Sequence, residues 1–219
     1  MSIFRCRSGL KRSKKRSYRR MSRLPGAAAA ALLALVLIAA GVYYAGVHQR
    51  NVLYAQYPIR YKELIVENAE RFELEPWHVA AVVRCESSFR ETATSNVGAM
   101  GLMQIMPDTG LWLAGKFDEE DSFTDEMLYQ PEINLKYGCW FLQWLMKRYE
   151  GDRTLATAAF HAGHRKVDEW LADPEVSPDG KTLEHIPYST TRTYVERVLE
   201  ACEIYQELYD FAVSDEDAA

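Results

Sequence analysis

From Tyr57 onward, apolar residues recur at three- and four-residue intervals, the spacing of helices that bury one face. Tyr61, Leu64, Ile65, Ala69 and Phe72 form the first stripe. Pro76 suits the first turn of a second helix, where its missing N–H costs nothing, and Val79, Val82 and Val83 continue it. Residues 92–101, TATSNVGAMG, are small and glycine-containing and predict a loop, with a short helix after Pro107. The stretch 131–149 predicts a strong helix with Ile133, Tyr137, Trp140, Phe141, Trp144 and Leu145 inward, the tryptophans as core. Residues 153–163 read as a helix capped by Gly163, and RKVDEWLAD as another. A loop, SPDGKTLEHIPYS, precedes a long amphipathic helix over 190–211. There is no internal repeat and no alternating strand pattern, so the expected fold is all-α.

Charge changes the picture at the N-terminus. Ten of the 26 Lys and Arg lie in residues 1–24, which hold no Asp or Glu; the rest of the chain carries sixteen against all 31 acidic residues, a net of −15. Residues 25–47, PGAAAAALLALVLIAAGVYYAGV, are uncharged and long enough to cross a hydrocarbon core of about 30 Å. Tyr43 and Tyr44 suit an interfacial belt, and the preceding positive charge places the N-terminus in the cytoplasm. The expected organisation is a basic cytoplasmic arm (1–24), a single transmembrane helix (25–47), a tether (48–57), an extracytoplasmic domain (58–211) and an acidic tail (212–219). A signal peptide cut near residues 39–45 is the alternative for the apolar run. A positive-inside flank accounts for the basic arm without a nucleic-acid partner. Cys6 falls in the arm; Cys85, Cys139 and Cys202 lie in apolar helical contexts and read as buried free thiols, with a Cys139–Cys202 disulfide as the alternative. No C-x-x-C pair or Cys/His cluster suggests a metal site, and no cofactor is expected.

One residue breaks the apolar pattern. Glu86 stands seven residues after Val79, on the face of Val82 and Val83. Burial penalises an ionised carboxyl and raises its pKa, and an acid still protonated near neutrality can protonate a leaving group. Pairing with an arginine, Arg84 or Arg90, or a solvent-facing place at the helix end, is the purely structural explanation. The surroundings extend the picture. ESSF, ATSNVGAMGLMQIMPDT, QPEINLKYGCWFL, AAFHAG and IPYSTTRTYVERV occur in that order. Together they resemble the catalytic domain of the soluble lytic transglycosylases, a goose-type lysozyme-like family that cleaves peptidoglycan, over about residues 59–209.

The resemblance implies a lysozyme-like helical fold and peptidoglycan glycan strands as the partner. It implies Glu86 as a single general acid/base, cutting between N-acetylmuramic acid and N-acetylglucosamine to leave a 1,6-anhydromuramyl end. Ser95, Gln104 and Met106 match positions that line the sugar groove, and Gly98 and Gly101 positions where a tight loop lets the glycan approach. Three positions depart from the usual pattern. Phe160-His161 stands where the family usually has Tyr-Asn, so a hydroxyl near the acid is missing. Thr190 stands where a glutamate usually holds the muramic acid. A weakened peptidoglycan-binding or scaffold domain docked in a cell-envelope assembly is therefore the main alternative, with lysozyme-like hydrolysis as another.

Overall fold

The computed structural model describes residues 26–211; the basic arm, Cys6 and the acidic tail lie outside them. The chain divides into two units, residues 1–48 and 49–219. In the first, the described residues belong to α1 (Gly26–Gln56), whose apolar side chains from Leu32 to Val42 face outward. A window of this helix has a mean hydropathy of 2.2.

The second unit is helical throughout its core: α2 (Lys62–Arg71), α3 (Pro76–Ser87), α4 (Pro107–Ala114), α5 (Pro131–Arg148), α6 (Arg153–Ala162), α7 (His164–Leu171) and α8 (Ser189–Leu208). Prolines open α3, α4 and α5, and the Asp152 carboxylate caps α6 by accepting from the Leu155 N–H at 2.9 Å. Two 3₁₀ turns, Glu120–Ser122 and Asp125–Tyr129, bridge α4 and α5. They carry no long apolar period, which is why the sequence pattern did not reveal them.

The middle of α3 is the centre of the core. Residues His78 to Val83 are buried without interruption, so this helix has no polar face here and packs all round, mainly on α8 and α2. His78 is the polar residue among them. Its Nε2 meets Thr157 Oγ1 at 3.2 Å, tying α3 to α6, and burial, with Arg153 nearby, pushes its pKa down to about 3. It is neutral at any physiological pH.

Three expectations need correction. The stretch read as a tether is helical to Gln56, and its end is docked. Tyr54 donates to the Leu208 carbonyl (2.7 Å), Tyr209 to that of Tyr57 and Tyr205 to that of Pro58 (both 2.8 Å). The inward face of α5 is Leu135, Tyr137, Cys139, Leu142 and Leu145; Trp140, Phe141 and Trp144 are half-buried at its edge, because α5 is covered from a direction rotated from the aromatic row. Gly101 is crowded by the protein itself. A side chain there would strike the Leu128 carbonyl and the Asn134 amide, and its φ is +77°, so the close approach is not room for a glycan. Cys85, Cys139 and Cys202 are free thiols.

Candidate active site

Glu86 occupies the last turn of α3, where the helix leaves its packed surroundings. The chain then turns sharply. Ser88 and Phe89 both take left-handed backbone conformations, φ 53° and 59°, which are costly for residues other than glycine. Burial of the Phe89 ring, edge-on to Tyr205 at 6.3 Å, holds this turn in place. The reversal ends the helix one residue after the acid and leaves its carboxyl at the mouth of a cavity instead of inside the next turn.

That cavity, of about 480 Å³, is lined by Cys85, Glu86, His161, Ser189, Thr190, Thr193, Tyr194 and Arg197. Burial pushes the Glu86 pKa up to about 7, against the opposing pull of the Tyr194 hydroxyl and the Arg197 guanidinium. The carbonyl end of the α3 dipole also disfavours an anion here. Tyr194 is buried. Its hydroxyl is near enough to ease ionisation of the carboxyl, but closes no well-formed hydrogen bond with it. Arginine pairing does not explain Glu86. Arg84 donates to the Gln56 carbonyl (3.1 Å) and lies 3.9 Å over the Tyr57 ring, while Arg90 Nε donates to the Ser87 carbonyl (3.1 Å).

The loop before α4 is folded tightly by backbone pairing of Met100 with Thr94 and Ile105. Asn134, fully buried on α5, fastens it. Its Oδ1 accepts from Met103 N (2.7 Å), and its Nδ2 donates to the carbonyls of Leu128 (2.7 Å) and Met100 (3.0 Å). Ser95 and Gln104 take part in the same framework. Ser95 Oγ accepts from Ala99 N at 2.9 Å. Gln104, left-handed at φ 49°, donates through Nε2 to the carbonyls of Gly101 (2.9 Å) and Ala93 (3.1 Å), which leaves Oε1 and the Ser95 O–H to offer a ligand. Met106, 40% exposed, is the N-cap of α4.

Of the residues marked in the sequence, the structure gathers Glu86, His161 and Thr190 around one cavity. His161 is half-exposed; its Nδ1 meets Thr191 Oγ1 at 3.2 Å, its ring packs 4.5 Å from that of Tyr194, and burial lowers its pKa. Phe160 turns instead toward Phe141, 5.6 Å between centroids. Ser95, Gln104 and Met106 lie on the loop before α4 and do not line the cavity. Tyr194 and Arg197 escaped the sequence reading, although they follow Thr190 at four and seven residues, on one face of α8.

Comparisons with known proteins identify the family to which this fold belongs. The family described as "Transglycosylase SLT domain" matches residues 63–181. The soluble lytic murein transglycosylase of Salmonella typhimurium is 33% identical over 145 residues, 66% of this chain and 22% of that protein. Membrane-bound lytic murein transglycosylase C of Actinobacillus pleuropneumoniae is 29% identical over 169 residues, covering 67% of this chain and 46% of that one. The X-ray structure of an inactive mutant of lytic transglycosylase Slt from Pseudomonas aeruginosa, a glutamate replaced by glutamine, superposes with a TM-score of 0.62 at 30% identity, over 75% of this chain and 27% of that one. This chain thus spans about a quarter of the soluble relatives it matches. With its helical fold shared and the family match covering more than half its length, the chain belongs to the transglycosylase SLT domain family.

Proposed function

We propose that this chain is a membrane-anchored peptidoglycan lytic transglycosylase in which Glu86 serves as the single general acid/base. The observation that carries this reading is a carboxyl opening into a cavity, with burial holding its pKa up to about 7. Glu86 first gives its proton to the glycosidic oxygen, and the bond from that oxygen to C1 of N-acetylmuramic acid breaks. The resulting carboxylate takes the proton of the muramyl 6-hydroxyl as that oxygen bonds C1. The acid is regenerated, a 1,6-anhydro ring forms, and no water is consumed. A double-displacement glycosidase needs a second carboxyl about 5 Å away; among the described residues, Glu86 is the one carboxylate lining this cavity. The inactivity of the glutamate-to-glutamine form of Slt is the behaviour this role predicts.

Residues 25–47 serve as the anchor, with the N-terminus in the cytoplasm and the body outside. The exposed apolar side chains of α1 and the membrane-bound relative support the anchor, and the ten Lys and Arg of residues 1–24 support the orientation. Tethering keeps the body near the wall, which its net charge of −15 would not do by long-range attraction. His161 and Thr190, on the cavity wall, and Ser95, Gln104 and Met106, on the loop before α4, contact the sugars; Phe160 contributes only its ring.

A weakened glycan-binding domain is the second reading, favoured by Phe160, whose ring lacks a hydroxyl and packs on Phe141. Digestion of purified peptidoglycan, read by mass spectrometry, separates them. Anhydromuropeptides from the parent and none from Glu86→Gln support the lyase. Reducing ends point to hydrolysis, and retained binding without products points to the second reading.

A further inference from the structure

Apart from His161, the walls of the acid's cavity come from two helices. Cys85 and Glu86 stand on α3; Thr190, Tyr194 and Arg197 stand on α8. How α3 lies against α8 therefore sets the spacing between the acid and the groups facing it. A third segment, Tyr54 to Pro58, bridges these two helices without lining the cavity. Toward α3, the Arg84 guanidinium donates to the Gln56 carbonyl (3.1 Å) and lies 3.9 Å over the Tyr57 ring, within cation–π range. Toward α8, Tyr54 donates to the Leu208 carbonyl (2.7 Å), and the carbonyls of Tyr57 and Pro58 accept from Tyr209 and Tyr205 (both 2.8 Å). Gln56 and Leu208 are the last residues of α1 and α8, whose final carbonyls have no partner within the helix.

The bridge closes on the residues that bracket the acid. Arg84 precedes Glu86 in the last turn of α3, and its own carbonyl accepts from the Ser88 N–H at 3.0 Å. Phe89 follows Glu86, and its ring packs edge-on to Tyr205 at 6.3 Å. The Tyr57 ring packs edge-on to the same tyrosine at 6.0 Å. Tyr205, fully buried, is thus the common partner of the bridge and of the turn that ends α3. From Arg197 to Tyr205 the helix rises about 12 Å, at 1.5 Å per residue. The bridge acts that far from the chemistry, through the placement of the two helices.

We propose that Tyr57, acting through Arg84, is a positioning residue: the segment 54–58 clamps α3 to α8 and so holds the Glu86 carboxyl at the wall of its cavity. The part this plays in catalysis rests on the lytic transglycosylase reading. The loop carrying Ser95, Gln104 and Met106 is fastened separately, through Asn134 of α5, so loss of the clamp lowers turnover more than substrate binding. Cys85, His161, Tyr194 and Arg197 are the other titratable groups on the cavity wall. Burial raises the Glu86 pKa against the pull of Tyr194 and Arg197, so a loosened clamp, by admitting water, lowers it.

The test uses the full chain in mild detergent, with Tyr57→Ala, Tyr57→Phe, Arg84→Ala and the Tyr57→Ala/Arg84→Ala pair, assayed on purified peptidoglycan well below the lowest unfolding midpoint. Tyr57→Ala and Arg84→Ala each lower kcat roughly tenfold with KM within about twofold, and each moves the alkaline limb of kcat/KM to lower pH. The pair loses no more than either alone, because both cut one connection. Tyr57→Phe keeps a ring under the guanidinium and keeps the parent's kcat. A full kcat and an unmoved limb in Tyr57→Ala, even with a lowered midpoint, overturn the proposal and reduce the segment to packing. So does a loss confined to KM, or a limb moved upward. A second readout needs no turnover. The difference in unfolding midpoint between Glu86→Gln and its parent, which opens between about pH 4 and 8.5, shrinks by roughly half or more on the Tyr57→Ala background. An unchanged difference overturns the clamp whether or not the chain is active. If it shrinks while the parent chain releases no anhydromuropeptides, the lyase reading alone has failed.

Discussion

The protonation of Glu86 should be visible in the stability of the fold, independently of any substrate. Its carboxyl moves from an ordinary 4.5 to about 7 on folding, mainly through burial. Below about pH 4.5 it is protonated in both the folded and unfolded states and costs nothing. Between about pH 4.5 and 7 the unfolded chain ionises while the folded state holds its proton, so stability falls across that window and levels off above 7. At about 1.4 kcal/mol per pH unit the loss is about 3 kcal/mol once the pH exceeds 7. Glu86→Gln keeps the shape and removes the charge. Full chain and variant, unfolded by heat in the same detergent, should have equal stability near pH 4. At pH 8.5 the variant should be more stable by about 3 kcal/mol, or about 6–12 °C in a domain of this size. All other titrating groups cancel in the difference. A gap that is the same at both pH values would show that Glu86 is not desolvated, and the acid role would lose its physical basis.

The Tyr194 hydroxyl and Arg197 both pull the Glu86 pKa down, so Tyr194→Phe should move the alkaline limb of kcat/KM to higher pH; a limb shifted downward would contradict this. Asn134→Ala removes three buried bonds that fasten the loop to α5 and should cost about 3–5 kcal/mol by urea unfolding, against under 1 kcal/mol if the loop were held elsewhere. Gly101→Ala meets both a positive φ and the Leu128 and Asn134 backbone and side-chain atoms. It should destabilise the fold more than Gly98→Ala, where a Cβ would point into open space, as measured by unfolding midpoints.

Helix positions were largely legible because three prolines and the three-to-four spacing mark them locally. What escaped the sequence depends on contacts between distant segments. The stripe through Val79, Val82 and Val83 predicted one buried face for α3, whereas Ala80 and Ala81 are buried as well; short alanines carry no polar signal either way. Periodicity placed Trp140, Phe141 and Trp144 inward on α5, yet they are only half-buried, at its edge beside Trp112 of α4. The segment 48–57 read as a polar tether because Arg50 and Gln56 interrupt its apolar residues, but the partners of Tyr54 and Tyr57 lie some 150 residues onward on or beside α8. Glu86 was visible as an anomaly in its own helix. Tyr194 and Arg197, which set its surroundings, come from α8 and become neighbours only once α3 and α8 pack.

The position of the acid within α3 reconciles two opposed requirements. A carboxyl in the uninterrupted core from His78 to Val83 would be protonated but unreachable, and one on an exposed helix face would be reachable but ionised. The final turn of a helix buried all round offers both burial and access, provided the chain leaves at once. Ser88 and Phe89 accomplish that departure in unfavourable backbone conformations, stabilised by burying the Phe89 ring. The strain beside Glu86 and its raised pKa therefore share one origin: both follow from ending a buried helix abruptly at the wall of a cavity.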